Sequence, residues 1–129
     1  MKVENISLNE DLKDRIKLIN KVVGCKNGKI KIFFDNINSS GGASKYIDAK
    51  NFQLIETVTI DAILNDYDIE PFILKLDCEG CEYDIILNTD LSKFNLIFFE
   101  YHAGIVGKDT IILFEKLENQ GFKMEKYNC

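Results

Sequence analysis

Apolar residues in this chain come in short runs punctuated by glycine, proline and charge, and those runs set its elements. Residues 72–76 lie behind Pro71 and are apolar except for Lys75, which predicts a central parallel strand buried on both faces. A second run, residues 96–101, predicts another buried strand, leading through Glu100 and Tyr101 to His102. Between the two, Ile85 to Leu87 read as helix. Residues 108–120 predict the longest helix: Ile111, Phe114 and Leu117 repeat at threes, Leu113 pairs with Leu117, and Gly121 stands where a C′ glycine belongs. Residues 122–127 predict a final strand.

Upstream, residues 4–9 read as the end of a helix, 10–14 as a charged turn and 15–23 as a strand closing at Gly24. A turn at 25–28 leads to a strand at 29–34. Residues 36–44, with Gly41 and Gly42 among serines, read as a loop, and 52–58 as a strand. Thr59 is the expected N-cap of a helix over 60–67, with Asp61 in its first turn where the helix dipole favours negative charge. This alternation predicts an α/β fold with a mainly parallel sheet and right-handed crossovers.

Composition narrows the function classes. The 129 residues suit one domain, 1–129, able to bury roughly two-thirds of its unfolded surface. Sixteen basic residues against 21 acidic ones give a net charge of −5, and no basic stripe occurs, so nucleic acid is not an expected partner. No apolar run approaches the roughly 20 residues of a membrane span, and the N-terminus lacks a signal-peptide core. A cytoplasmic protein with reduced thiols is the expectation for the four cysteines at 25, 78, 81 and 129.

The candidate chemistry gathers behind the strand at 72–76. A strand whose carboxyl end hands Asp77, Glu79 and Gly80 to a helix is where open α/β sheets build sites. Glu100 and His102 end the neighbouring strand and are expected to enter the same crevice. His102 is the only histidine, and imidazole is the side chain suited to accept a proton near neutral pH. Lys75, expected inside a buried strand, would need Asp77 or Glu100 within salt-bridge reach. Asp77, Glu79, Glu100 and His102 could instead hold a magnesium ion, an alternative to a metal-free site. Cys78 and Cys81 form a C-x-x-C at a strand-to-helix junction, open to two readings: small buried apolar residues, or a thiol redox pair.

The stretch Leu74-Lys75-Leu76-Asp77-x-Glu79-Gly80-x-Glu82 resembles the motif of the FkbM family of S-adenosylmethionine-dependent methyltransferases: lysine, apolar, aspartate, any residue, glutamate, glycine, any residue, glutamate. Two further stretches are similar to that family: the region through Asn20 and Lys21, and Thr57-Val58-Thr59-Ile60-Asp61. The resemblance implies a Rossmann-like class I methyltransferase sheet, mainly parallel and truncated, with the first two strands and the last strand missing. It implies S-adenosylmethionine as cofactor, with Asn20 and Lys21 near the adenine and Asp77 at the methyl-transfer centre. Asp77, His102 and Glu100 would be catalytic, acting on a small-molecule hydroxyl such as a sugar's. The glycine-rich cofactor loop of the family has no counterpart here, so weak cofactor binding by this chain alone is expected. The strand at 72–76 is expected to expose an edge for a second copy or a separately encoded N-terminal half. A non-catalytic binding module is the alternative function.

Overall fold

A computed structural model describes residues 9–34, 43–44, 51–78 and 80–125. Its strands are β1 (Val22–Val23), β2 (Gly28–Phe34), β3 (Ala43–Ser44), β4 (Asn51–Val58), β5 (Ile73–Leu76) and β6 (Leu96–Phe99). Its helices are α1 (Glu10–Lys13), α2 (Ile60–Asp66), α3 (Cys81–Asn88), α4 (Ala103–Val106) and α5 (Ile111–Asn119). The class is α/β, but the strands form two sheets rather than one mainly parallel sheet. The first is mixed, in the order β1-β4-β2-β3, and the second is the pair β5-β6.

The long antiparallel pairing of β2 with β4, from Gly28↔Thr57 to Phe34↔Asn51, is what makes the first sheet mixed. β1 runs parallel to β4 through Val22↔Thr57 and Val23↔Val58. Thr57 fixes the turn between β1 and β2: its hydroxyl donates to the Lys26 carbonyl at 2.9 Å. The strand expected over 15–23 shrinks to its last two residues, and the charged turn at 10–14 is instead one turn of helix. The helix end expected at 4–9 lies mostly outside the described residues, as do most of the loop at 36–44 and the last residues of the strand expected at 122–127. Residues 122–125 form no strand.

Local signals that need no tertiary partner act where the sequence puts them. The Thr59 hydroxyl accepts from the Ala62 amide at 3.1 Å and starts α2. At the end of α5, Gly121 has φ 95°, where a side chain would be strained, and two bonds close the helix: Gly121 N–H to Glu118 C=O and Phe122 N–H to Leu117 C=O.

The core lies under α3 and α5. Tyr83, Ile85, Ile86, Leu91, Leu113 and Leu117 are all at most 1% exposed, with Ile60, Leu76 and Phe94 around them. Burying each such side chain contributes about 1.5–3 kcal/mol. Gln120 ties the two helix ends together, accepting from the Leu91 amide at 2.6 Å and donating to the Thr89 carbonyl at 3.3 Å.

β5 corrects the expectation of a central strand buried on both faces. Among the described residues it pairs with β6 alone. Phe72 and Ile73 are 64% and 53% exposed, and only Leu76, next to α3, is buried. Burial of an apolar run needs a neighbour on each side, and the edge of β5 away from β6 has none among these residues. β6 likewise exposes Leu96 and Phe98. Lys75 is therefore solvated rather than buried, and it makes no ion pair with Asp77 or Glu100.

Candidate functional site

The parallel register of β5 and β6 builds the site. Leu76 pairs with Phe99, and the Glu100 amide donates to the Leu76 carbonyl at 3.1 Å. Asp77 and Glu100 consequently leave adjacent strands at the same carboxyl end, both exposed. Beyond Asp77 the chain turns into α3 through Gly80, whose φ of 103° is accessible to glycine at little cost.

Glu82, in the first turn of α3, is fully buried. Its Oε1 accepts from the Cys78 amide and its Oε2 from the Gly80 amide, both at 2.8 Å. The same Oε1 lies 3.4 Å from Nδ1 of His102. A buried carboxylate is tolerated only with such compensation, here two charge-assisted amide bonds, an imidazole and the amino end of a helix. His102 comes from the segment after β6 and starts α4, since the Val106 amide donates to its carbonyl at 3.2 Å. Its side chain is 18% exposed. The structure thus brings Asp77, Glu100 and His102 to one end of the β5-β6 pair, and it adds Glu82, which was not among the expected site residues. The available signal was a glutamate two residues beyond a glycine at a helix start, where an acidic side chain can bond loop amides.

Asn20 and Lys21 stand apart from this cluster. Both precede β1 and are exposed, and Lys21 Nζ pairs with Glu56 Oε2 at 3.3 Å. The link to Asp77 is indirect: Val23, just beyond Lys21, and Leu76, just before Asp77, line one open groove of about 440 Å³. Ile60, Leu64, Phe72 and Leu74 are among its apolar walls, and none of Asp77, Glu82, Glu100 or His102 lines it. The groove follows the unpaired edge of β5; the polar chemistry sits at the strand's end.

Among the described residues no three His, Cys, Asp or Glu side chains converge to hold a metal ion. Asp77, Glu100 and His102 do not form such a site by themselves, and Glu79 lies outside the described residues. The expectation of reduced, mostly buried thiols at Cys78 and Cys81 is overturned. They are joined as a disulfide and are half-buried. The turn through Gly80 brings their Cα atoms to 5.4 Å, within the range a disulfide requires. Cys25 is a free, exposed thiol.

No helix among the described residues is long and apolar enough to cross a membrane. Compared with known proteins, the chain matches the family model for the methyltransferase FkbM domain over residues 4–124. No curated protein and no solved structure gives a match.

Proposed function

The chain belongs to the FkbM methyltransferase family, and from that premise we propose that it carries the proton-handling end of an S-adenosylmethionine-dependent O-methyltransferase. The substrate class we propose is a hydroxyl of a sugar or another small molecule, in the cytoplasm. The observation that carries the reading is the meeting of the family's acidic motif with His102 through the buried Glu82. We read the β5-α3-β6 unit as part of a Rossmann-like, mainly parallel sheet, with a partner strand from a second copy or a separately encoded N-terminal half along the open edge of β5.

Against the cofactor, the described residues fit on one side only. The apolar groove beside Val23 and Ile60 suits a purine. No glycine-rich run of backbone amides for the cofactor's amino-acid end stands among them. Asn20 and Lys21 are the proposed adenine-side contacts, and releasing Lys21 from its exposed pair with Glu56 would cost only about 0–1 kcal/mol.

When bound, the cofactor supplies an electrophilic methyl group on its sulfonium. The chain's own part is the substrate proton. With Nδ1 of His102 turned to Glu82, proton transfer with a hydroxyl falls to Nε2, and the Glu82 carboxylate stabilises the imidazolium that forms. Asp77 and Glu100, exposed beside it, are carboxylates able to accept hydrogen bonds from the substrate's hydroxyls. Transfer of labelled methyl from S-adenosylmethionine to a panel of sugars and small alcohols tests the reading. His102→Ala is expected to lower the rate by about 10²–10⁴-fold. Transfer that is indifferent to both His102→Ala and Asp77→Asn would refute this site.

A further inference from the structure

We propose that Cys78 and Cys81 form a thiol–disulfide exchange site whose oxidation state sets the conformation of the loop between Asp77 and α3. The two cysteines are three positions apart, with two residues between them. A ring so small removes little freedom from the unfolded chain, so the crosslink does little for global stability and its effect is local. Both residues are half-buried, within reach of a small dithiol.

The local effect follows from one shared oxygen. Glu82 Oε1 accepts from the Cys78 amide and faces His102 Nδ1, while Oε2 accepts from the Gly80 amide inside the ring. Breaking the S–S bond replaces a covalent contact by a van der Waals one and releases Cys78 and Cys81 from ring closure. The Cys78 and Gly80 amides then lose the covalent constraint that holds them to the Glu82 carboxylate, which we expect to re-partition between loop and histidine. Gly80, already in the left-handed region, is the residue able to absorb the backbone change.

The chemistry balances with a dithiol as reductant. Its thiolate attacks one Sγ to give a mixed disulfide, and its second thiol then displaces the protein sulfur. Two electrons and two protons pass to the protein, leaving two cysteine thiols and a cyclic disulfide. Oxidised glutathione reverses the step through the same kind of mixed disulfide. The exchange stands without any assumption about methyl transfer; only its consequence for catalysis rests on the proposed function.

The experiment uses the full chain carrying Cys25→Ser and Cys129→Ser, so that only the enclosed pair can react. Dithiothreitol and then oxidised glutathione are added to the folded protein, thiols are counted by alkylation and mass spectrometry, and amide exchange is followed by NMR. We expect two thiols to appear and disappear reversibly while the fold persists. In the reduced form the Cys78 and Gly80 amides should exchange at least about tenfold faster, and the His102 ring signals should shift. Adding Cys78→Ser and Cys81→Ser should reproduce the fast exchange and abolish the response to dithiol. Reduction only on unfolding, failure to re-oxidise, or changes confined to residues 78 and 81 would overturn the proposal. No readout uses S-adenosylmethionine, so a redox response without methyl transfer would sink the enzymatic reading alone.

Discussion

Glu82 Oε1 lies 3.4 Å from His102 Nδ1, joining the first turn of one helix to the residue that starts another, 20 positions on. The same carboxylate holds the amides of Cys78 and Gly80, so one buried side chain fixes both the turn after Asp77 and the orientation of the histidine.

Glu82→Gln tests that assembly. The amide keeps the shape and one acceptor oxygen but turns a donor toward a group that also donates, and it removes the charge facing His102. Leaving one loop amide unsatisfied should destabilise the fold by about 1–3 kcal/mol, read as a lower midpoint in urea with an unchanged slope. A variant as stable as the parent would mean that the two 2.8 Å contacts carry no weight.

Asp90 gives a pH dependence. The Ser92 hydroxyl donates to its Oδ1 at 2.6 Å and the Ser92 amide at 3.0 Å, and these bonds, the hydroxyl's first, hold the carboxyl below its ordinary range. A carboxyl whose pKa is lower in the folded chain stabilises folding above its unfolded pKa, and that contribution is lost as pH falls through the lowered value. NMR titration should find Asp90 titrating at lower pH than a free aspartate, and Ser92→Ala should move it back up. Asp90 lies on the surface, so the effect on unfolding is expected to be small.

Ile73→Lys addresses the open edge of β5. The side chain is 53% exposed, so the change should cost no more than about 0.5 kcal/mol of stability. A lysine on an unpaired edge discourages strand addition. If the edge recruits a second copy, light scattering should show the parent self-associating and the variant monomeric. Identical masses for both would remove the homotypic partner from the reading.

Sequence patterns located what depends on neighbours along the chain. The Thr59 cap, the closing glycine at 121 and the order of β4, α2, β5, α3, β6 and α5 all follow from turn chemistry and apolar spacing within a dozen residues. The exposure of Phe72 and Ile73 did not, because an apolar run looks the same whether or not a strand lies beside it. Residues 16–20 carry apolar spacing yet join no strand among the described residues, since a strand needs a partner's backbone as well as its own pattern. Asp77, Glu100 and His102 were legible as strand-end residues, and parallel pairing brings them together. Glu82 was legible only in half: its place after Gly80 suits it to the loop amides, but the histidine it faces is met only after β6 has folded alongside β5. The spacing of Cys78 and Cys81 was visible, but their covalent state depends on a left-handed turn at Gly80 and on redox chemistry that spacing does not encode.

The loop after β5 and the segment after β6 are proposed to form one end of a cofactor-dependent methyl-transfer site. The most direct measurement is an NMR titration of the ¹⁵N-labelled 129-residue chain with S-adenosylhomocysteine, the stable product of the cofactor. With an apolar wall for the purine and no glycine-rich loop among the described residues, binding should be weak, with a Kd on the order of millimolar. The amide shifts should fall on Val23 and Leu74 along the groove and on Asp77, Gly80 and His102 at the carboxyl end of the β5-β6 pair. Shifts at other surfaces only, or none at any of these residues up to roughly 10 mM ligand, would rule out this site.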